Sequence, residues 1–438
     1  MAVSGWFVAL LALGTIPTLA LGSWVVMGLW TLGCVLLATL DTLVAGSPRG
    51  LRFARETPAR MRLGETGEAR LYIVNTGRRT VRAVVRDAWH PSAGVRPKRA
   101  RSTVPPGERR AVVETVAPIR RGERRALLVT VRSWGPLRLA ARQASIRVPG
   151  AVRVLPPFAS RRHLPSRLAR LRELDGRTSV LVRGQGTEFD SLREYVRGDD
   201  VRSIDWRASA RRRNPMLPES PRLVVRTWRP ERDRRVVLVV DSGRASAARI
   251  ADEPRIDTFF EASLLLAALA TRAGDRVDLL IADRRVRGRV QGVTGAELLS
   301  RMVDVMAPVE PELLEPDWAA VPGLVRQVTT QRALVVLLTS IDAPGAAAGM
   351  LAVLPELTRH HTVVVASVSD PSVVEASRDL EDRDAVYRAA AAERALLDAS
   401  RVAAAIRRVG GEVVTGTPED LPPALADHYI ALKAAGRL

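Results

Sequence analysis

From Gly5 to Leu40 the chain carries no charged residue, and this constrains its folding more than any other feature. At about 1.5 Å per residue, such a run as helix is close to twice the ~30 Å of a bilayer's hydrocarbon core, so two passes fit better than one. Gly22 and Ser23 mark the turn between a helix near 5–21 and a helix near 24–44, and Pro17 is expected to kink the first. A cleaved secretory signal is the competing reading. It fails because no Lys or Arg precedes the run and the run is too long. Arg49, Arg52, Arg55, Arg60 and Arg62 follow the second pass, while the turn has no charge. Positive charge stays inside, so both ends of the hairpin and everything after it are expected in the cytoplasm, making this a multi-pass protein of the inner membrane. Asp41, near the end of the second pass, reads as a solvated boundary residue.

The rest of the 438 residues is too long for one ordinary core. The formal charge is +20, and all but two of the 67 basic residues are arginine, the exceptions being Lys98 and Lys433. Nucleic acid is the sharp reading of that charge. The arginines are spread along the chain with few aromatics between them, so a solvated surface near anionic lipid headgroups is preferred. The lone Cys34 permits no intrachain disulfide.

Residues 48–155 read as an all-β domain. Leu71–Asn75, Thr80–Val85, Ala111–Val116, Ala126–Val131 and Ala144–Val148 are β-branched runs parted by turn clusters such as Asn75-Thr-Gly77 and Pro105-Pro-Gly107. Short strands at such spacing predict an immunoglobulin-like sandwich, closed by Pro156-Pro157. His90 beside Trp89 reads as a loop residue, since no second His or Cys lies nearby.

Residues 156–231 form a linker, helical over Leu164–Leu174, that holds the most distinctive block, Gly184 to Arg211. Gly184 and Gly186 are not a phosphate loop, because no Gly-Lys-Ser/Thr follows. Asp199, Asp200 and Asp205 alternate with Arg197, Arg202, Arg207 and Arg211 around Trp206. Arg grips carboxylates through a planar fork, so this spacing predicts an ion-pair lattice with an aromatic anchor. It serves either as a structural clamp or as a docking surface for a protein, in which Glu188, Arg193, Asp199, Asp200, Arg202, Asp205, Trp206 and Arg211 would take part. Glu188, Glu194 and Asp205 lack the His, Cys or ligand spacing that would make them an acid–base site.

Residues 232–438 alternate strand and helix: strands at Arg235–Asp241, Arg276–Ala282, Arg332–Thr339, Thr362–Val368 and Glu412–Thr415, and helices near 256–273, 295–305 and 384–408. That alternation predicts a doubly wound α/β sheet with any site at the carboxyl ends of the strands. His360-His361 lacks the spacing of a zinc helix, and His428 with Tyr429 reads as packing in a terminal helix. No Gly-x-Ser-x-Gly elbow occurs.

The 184–211 block, continuing through Arg226–Asp241, resembles the signature of the domain of unknown function 58 family. The resemblance implies bacterial membrane proteins with a von Willebrand factor A-like domain. It also implies association with AAA+ ATPases of the MoxR type, often beside a transglutaminase-like membrane protein. It further implies a place to look for metal: Asp-x-Ser-x-Ser after the first strand, with Thr and Asp in later loops. Here the first strand ends Asp241-Ser-Gly-Arg-Ala-Ser246, so the serine positions are Gly243 and Ala245, and the later pair is Thr339-Ser340. Ser242, Ser246 and Asp342 are displaced candidates beside Asp241, and Arg244 opposes a cation. Asp241 is therefore expected to cap a helix or pair with an arginine. The resulting expectation is a non-enzymatic membrane adaptor without cofactor; the alternative is a metal-dependent ligand-binding domain with a degenerate site at Asp241.

Overall fold

The computed structural model describes residues 2–181, 188–196, 201–211, 223–229 and 234–438. The chain divides into two compact units, Met1–Pro157 and Phe158–Leu438.

The first unit begins with three apolar helices, α1 (Gly5–Leu13), α2 (Thr15–Leu21) and α3 (Trp24–Val44). Gly22, in the left-handed region at φ 57°, makes the turn into α3. The break between α1 and α2 falls at Gly14, within one helical turn before Pro17, whose ring cannot sit against a carbonyl one turn back. Gly14 also lets the two arms approach, since a Cβ there would lie 2.2 Å from the Trp30 ring, whose Nε1 donates to the Leu10 carbonyl at 2.9 Å. Among the described residues, only α3 is by itself long and apolar enough to cross a bilayer, and it lies near the N-terminus. Large apolar side chains are exposed along all three helices, Trp6, Leu19, Trp24 and Leu29 among them, an arrangement suited to lipid rather than water.

Asp41 corrects the sequence expectation. Its side chain is buried, not solvated. Oδ1 accepts from Leu137 N at 2.8 Å, and Oδ2 from Leu139 N at 2.9 Å and Ala140 N at 3.3 Å. A carboxylate at the end of an apolar helix thus satisfies three backbone donors of the following domain.

That domain is a sandwich of two antiparallel layers. Strands β1 (Leu51–Glu56), β2 (Gly67–Asn75) and β5 (Arg109–Val116) form one sheet; β4 (Ala100–Val104), β3 (Val81–Trp89), β6 (Gly122–Trp134) and β7 (Ala140–Leu155) form the other, in that order. Burial alternates along β3, as it must when one face meets a core and the other water. Leu71, Ile73, Val81, Val85, Val112, Val129 and Val131 fill the space between the layers. One polar cluster lies inside. Arg55 pairs with Asp87 through Nε and Nη2, and the Trp89 indole N–H is shared between Asp87 Oδ2 at 3.1 Å and Glu114 Oε2 at 3.3 Å. Burial, with the neighbouring Asp87 carboxylate, pushes Glu114 up to about 7. His90 is the loop residue expected, accepting from Ser92 N at the head of a short turn.

The second unit opens with α4 (Leu164–Leu181). It is not a free linker: Leu171 is buried, and Arg167 and Arg170 both bind Asp427. A two-stranded sheet follows, β8 (Glu188–Glu194) antiparallel to β9 (Val224–Arg229), with the short α5 (Trp206–Arg211) between them in sequence. The main sheet contains β10 (Arg235–Asp241), β11 (Arg276–Ala282), β12 (Val286–Val290), β13 (Leu334–Leu338), β14 (Thr362–Val368) and β15 (Glu412–Gly416). Its order is β12-β11-β10-β13-β14-β15, with all neighbours parallel except the edge strand β12. The runs Val236–Val240 and Leu334–Leu338 are buried throughout, as central parallel strands covered on both faces require. α6 (Arg255–Arg272) packs with α4 and the terminal α12 (Leu421–Ala434); α8 (Val321–Val328), α9 (Pro344–His360) and α11 (Arg383–Arg408) pack against the opposite face. α7 (Ala296–Met306) covers the β12 edge, and the short α10 (Pro371–Ala376) leans on α11. The antiparallel β12 was absent from the sequence reading, because Val-Arg-Gly-Arg-Val carries too little apolar signal.

Candidate functional site

The winding of the sheet reverses between β10 and β13, so the carboxyl ends of these neighbours form the crevice where ligands of such sheets bind. Asp241 closes it from within. Its Oδ1 accepts from Gly243 N at 2.7 Å and its Oδ2 from Thr339 Oγ1 at 2.7 Å, tying the end of β10 to the loop after β13. Asp241 therefore neither caps a helix nor pairs with an arginine. Burial pushes its carboxyl above the ordinary range, favouring the uncharged form.

The other metal candidates turn elsewhere. Ser242 Oγ donates to Asp283 Oδ2 at 3.2 Å. Arg287 Nε, at 2.6 Å, and the Arg285 N–H bind Asp283 and hold its carboxyl below the usual range, although burial opposes them. Asp342 pairs with Arg255, the first residue of α6, whose other terminal nitrogen donates to Ala245 O at 3.1 Å. Arg255 is buried, so the resident cation at this strand end is a guanidinium. Arg244 pairs with Glu315 at 2.8 Å.

The segment 307–317 lies over the crevice. Glu312 N donates to Ser242 O at 2.9 Å, and Arg244 N to Leu314 O at 2.8 Å. A Cβ on Gly243 would fall 2.7 Å from that same Leu314 carbonyl, so glycine is what lets the loop close. The oxygens of Asp241, Ser242 and Asp342 serve four different residues, Gly243, Thr339, Asp283 and Arg255, and among the described residues no cluster of three metal-ligand side chains forms. Together with two buried or bordering arginines, this donor set does not fit a divalent cation. Among the described residues Ser246 Oγ and Arg255 Nε are buried without a hydrogen-bond partner, and a lone hydroxyl beside a guanidinium does not make a cation site.

The signature block presents the second candidate surface. Asp199 and Asp200 lie outside the described residues, as does Arg197; Glu188 and Arg211 are placed only as backbone, at the start of β8 and the end of α5. Asp205 heads α5, its Oδ1 accepting from Ala208 N at 3.0 Å, so it works as a helix cap. Ser209 Oγ accepts from Val224 N at 2.9 Å and Ile204 bridges to Val225, which fastens α5 to β9. Trp206 is 67% exposed. Leu192, Val196 and Val201 are also exposed, and Arg193, Arg202 and Arg207 stand among them. Arg255, the Asp283–Arg287 pair and the covering loop were missed by sequence reasoning. A lone arginine opening the apolar run Ile256–Ala273 was the one available signal.

Residues 191–380 are a domain of the family described as "Protein of unknown function DUF58". The match begins inside the signature block and runs through the strand-end crevice. Distant relatives are the "Uncharacterized protein Rv1480" of Mycobacterium tuberculosis and the "Uncharacterized protein Mb1516" of Mycobacterium bovis, each 27% identical over 197 residues, 44% of this chain and 59% of the relative. The chain thus spans about three-fifths of the length of these curated relatives. Among solved structures, the CARDB domain of the PF1109 protein from Pyrococcus furiosus is 18% identical, covering 24% of this chain and 91% of its own, with a TM-score of 0.19. Native alpha-2-macroglobulin from Escherichia coli, from domain MG7 onward, is 18% identical over 24% of this chain and 16% of its own, with a TM-score of 0.20.

Proposed function

We propose that this chain is a non-enzymatic docking protein of the cytoplasmic membrane. In this reading the apolar arms 5–21 and 24–44 form a two-pass hairpin. The sandwich, of immunoglobulin-like type, and the α/β unit, of von Willebrand factor A-like type, lie in the cytoplasm. The surface around Trp206 receives a protein partner, a MoxR-type AAA+ ATPase, with a transglutaminase-like membrane protein as a further associate. The work served is assembly or remodelling of membrane or envelope proteins.

The observation that carries this reading is the exposure of Trp206, together with Leu192, Val196 and Val201, in one stretch of the DUF58 domain. Exposed aromatic and aliphatic side chains interspersed with arginines in one stretch of sequence have the composition of an interface hot spot. The arginines suit an acidic partner face and steer its approach. The strand-end crevice supports the same choice, because its carboxylates are spent on neighbouring donors of the same unit.

The test is cross-linking of the C-terminally tagged chain in native membranes, with mass spectrometry of what is recovered, for wild type, Trp206→Ala and Arg202→Glu. Both side chains are exposed, so the variants should fold, which a thermal melt checks. An AAA+ ATPase recovered with wild type and lost with folded variants supports the proposal. Equal recovery with all three, or none with any, refutes it. A reporter fused after Arg55 that is active on the periplasmic side would overturn the topology.

A further inference from the structure

In the first unit, a cavity of about 310 Å³ lies between the outer face of the β3–β4 pair, the β6–β7 turn and the start of α1. Ser4, Trp6, Arg82, Arg101, Trp134 and Arg138 line it. The register sets Arg82 opposite Thr103 and Val84 opposite Arg101, which brings Arg82 and Arg101 together as diagonal neighbours on one sheet face. Arg138 comes from the turn, in a left-handed conformation at φ 57° that a non-glycine residue rarely adopts without a reason. None of the three guanidinium groups has an ion-pair or hydrogen-bond partner among the described residues, and no Asp or Glu lines the cavity. The Asp41 carboxylate, which lies against Gly135 of the same turn, spends its oxygens on the amides of 137, 139 and 140. Three unpaired cations around one cavity repel one another, and an anion between them removes that cost.

The surroundings specify what kind of anion. The turn carrying Arg138 hangs on Asp41 at the end of α3, and a Cβ on Gly135 would lie 2.1 Å from the Asp41 carboxylate. On the other side Ser4 caps α1 and donates its N–H to Leu139 O at 3.0 Å. Both apolar arms therefore meet the sandwich at the lip of this cavity. Trp6, exposed on α1, and the half-buried Trp134 supply the amphipathic rings that settle at headgroup depth. A basic pocket at that level, next to membrane helices, is built to take an acidic lipid headgroup.

We infer that Arg82, Arg101 and Arg138 form a binding site for the phosphate of an anionic phospholipid headgroup. This rests on the membrane-anchor reading, and the experiment separates the two. The full chain is reconstituted into nanodiscs of phosphatidylcholine, alone or mixed equally with phosphatidylglycerol, and retained lipid is counted by native mass spectrometry. Three forms are compared: wild type, Arg82→Gln/Arg101→Gln/Arg138→Asn, and a control with Arg52, Arg70 and Arg110 of the opposite sheet changed to Gln. The expected result is insertion of all three forms and selective retention of phosphatidylglycerol by wild type and control. The site variant should lose that retention by roughly tenfold or more.

Failure to enter either nanodisc would remove the anchor reading itself. Insertion with no lipid preference, or equal loss in site variant and control, would overturn the site and leave the anchor intact. Glycerol phosphate displacing the lipid at equal concentration would show a soluble phosphate to be the ligand and overturn the lipid assignment. A circular-dichroism melt of the site variant checks that its fold is kept; asparagine is chosen to replace Arg138 because it tolerates the left-handed turn.

Discussion

Replacing Glu114 by Gln should stabilise the sandwich at neutral and higher pH. Glu114 is buried against Asp87 and Trp89, and its carboxyl titrates at about 7 rather than the ordinary 4.5. Below 4.5 both folded and unfolded states hold the proton, and the group costs nothing. Between these values the folded state keeps a proton that the unfolded state has released, so stability falls as pH rises. Above about 7 both states are ionised and the folded state bears the whole penalty. At about 1.4 kcal/mol per pH unit the gap amounts to roughly 3 kcal/mol, and sharing of the charge with Asp87 and Arg55 brings the expectation to about 2 kcal/mol. Gln keeps the shape and still accepts from the Trp89 indole, but carries no charge. The assay is hydrogen exchange of the β2, β3 and β5 peptides in the micelle-solubilised full chain, at about pH 5 and about pH 8, corrected for intrinsic rates. Wild type should lose protection between the two, and the variant should lose less and exceed wild type at the higher pH. A variant less protected than wild type at about pH 8, with the same pH dependence, would show that Glu114 is held as a needed anion and refute the reasoning.

Other consequences are equally checkable. Asp41→Ala leaves the N–H groups of Leu137, Leu139 and Ala140 without acceptors; it should cost about 2–4 kcal/mol locally, read as faster exchange in the 135–141 peptide. At the strand-end crevice, Asp342→Ala should destabilise more than Arg255→Leu, by about 1–3 kcal/mol in a chemical denaturation of the α/β unit. The first strands a buried cation, whereas the second leaves a carboxylate that is 50% exposed. Addition of Mg²⁺ or Mn²⁺ should leave the melting temperature unchanged, because the donors there already have protein partners; a saturable rise, lost in Asp241→Ala, would contradict the misfit of the donor set. Gly243→Ser, which restores the serine of the metal pattern, should loosen the 307–317 segment rather than create a site, visible as increased proteolysis there.

Local pattern alone settled much of this protein. The charge-free run through Leu40 allowed only apolar helices, and Gly22-Ser23 located their turn because glycine alone accepts φ 57° cheaply there. The β-branched and aromatic runs 71–75 and 81–85, bounded by turn residues, marked strands, and the unbroken runs 236–240 and 334–338 marked central parallel ones. Those signals survive in sequence because backbone hydrogen bonding and side-chain period act over a few residues. The fate of the polar groups did not survive in the same way. Asp41 looked solvated, yet its acceptors serve amides 96 to 99 positions away. Asp241 holds Thr339 across two strands rather than an arginine, and Gly243 exists for a carbonyl at 314. A buried charge is decided by whichever donor the fold brings to it, and only the assembled sheet and its loops choose that donor.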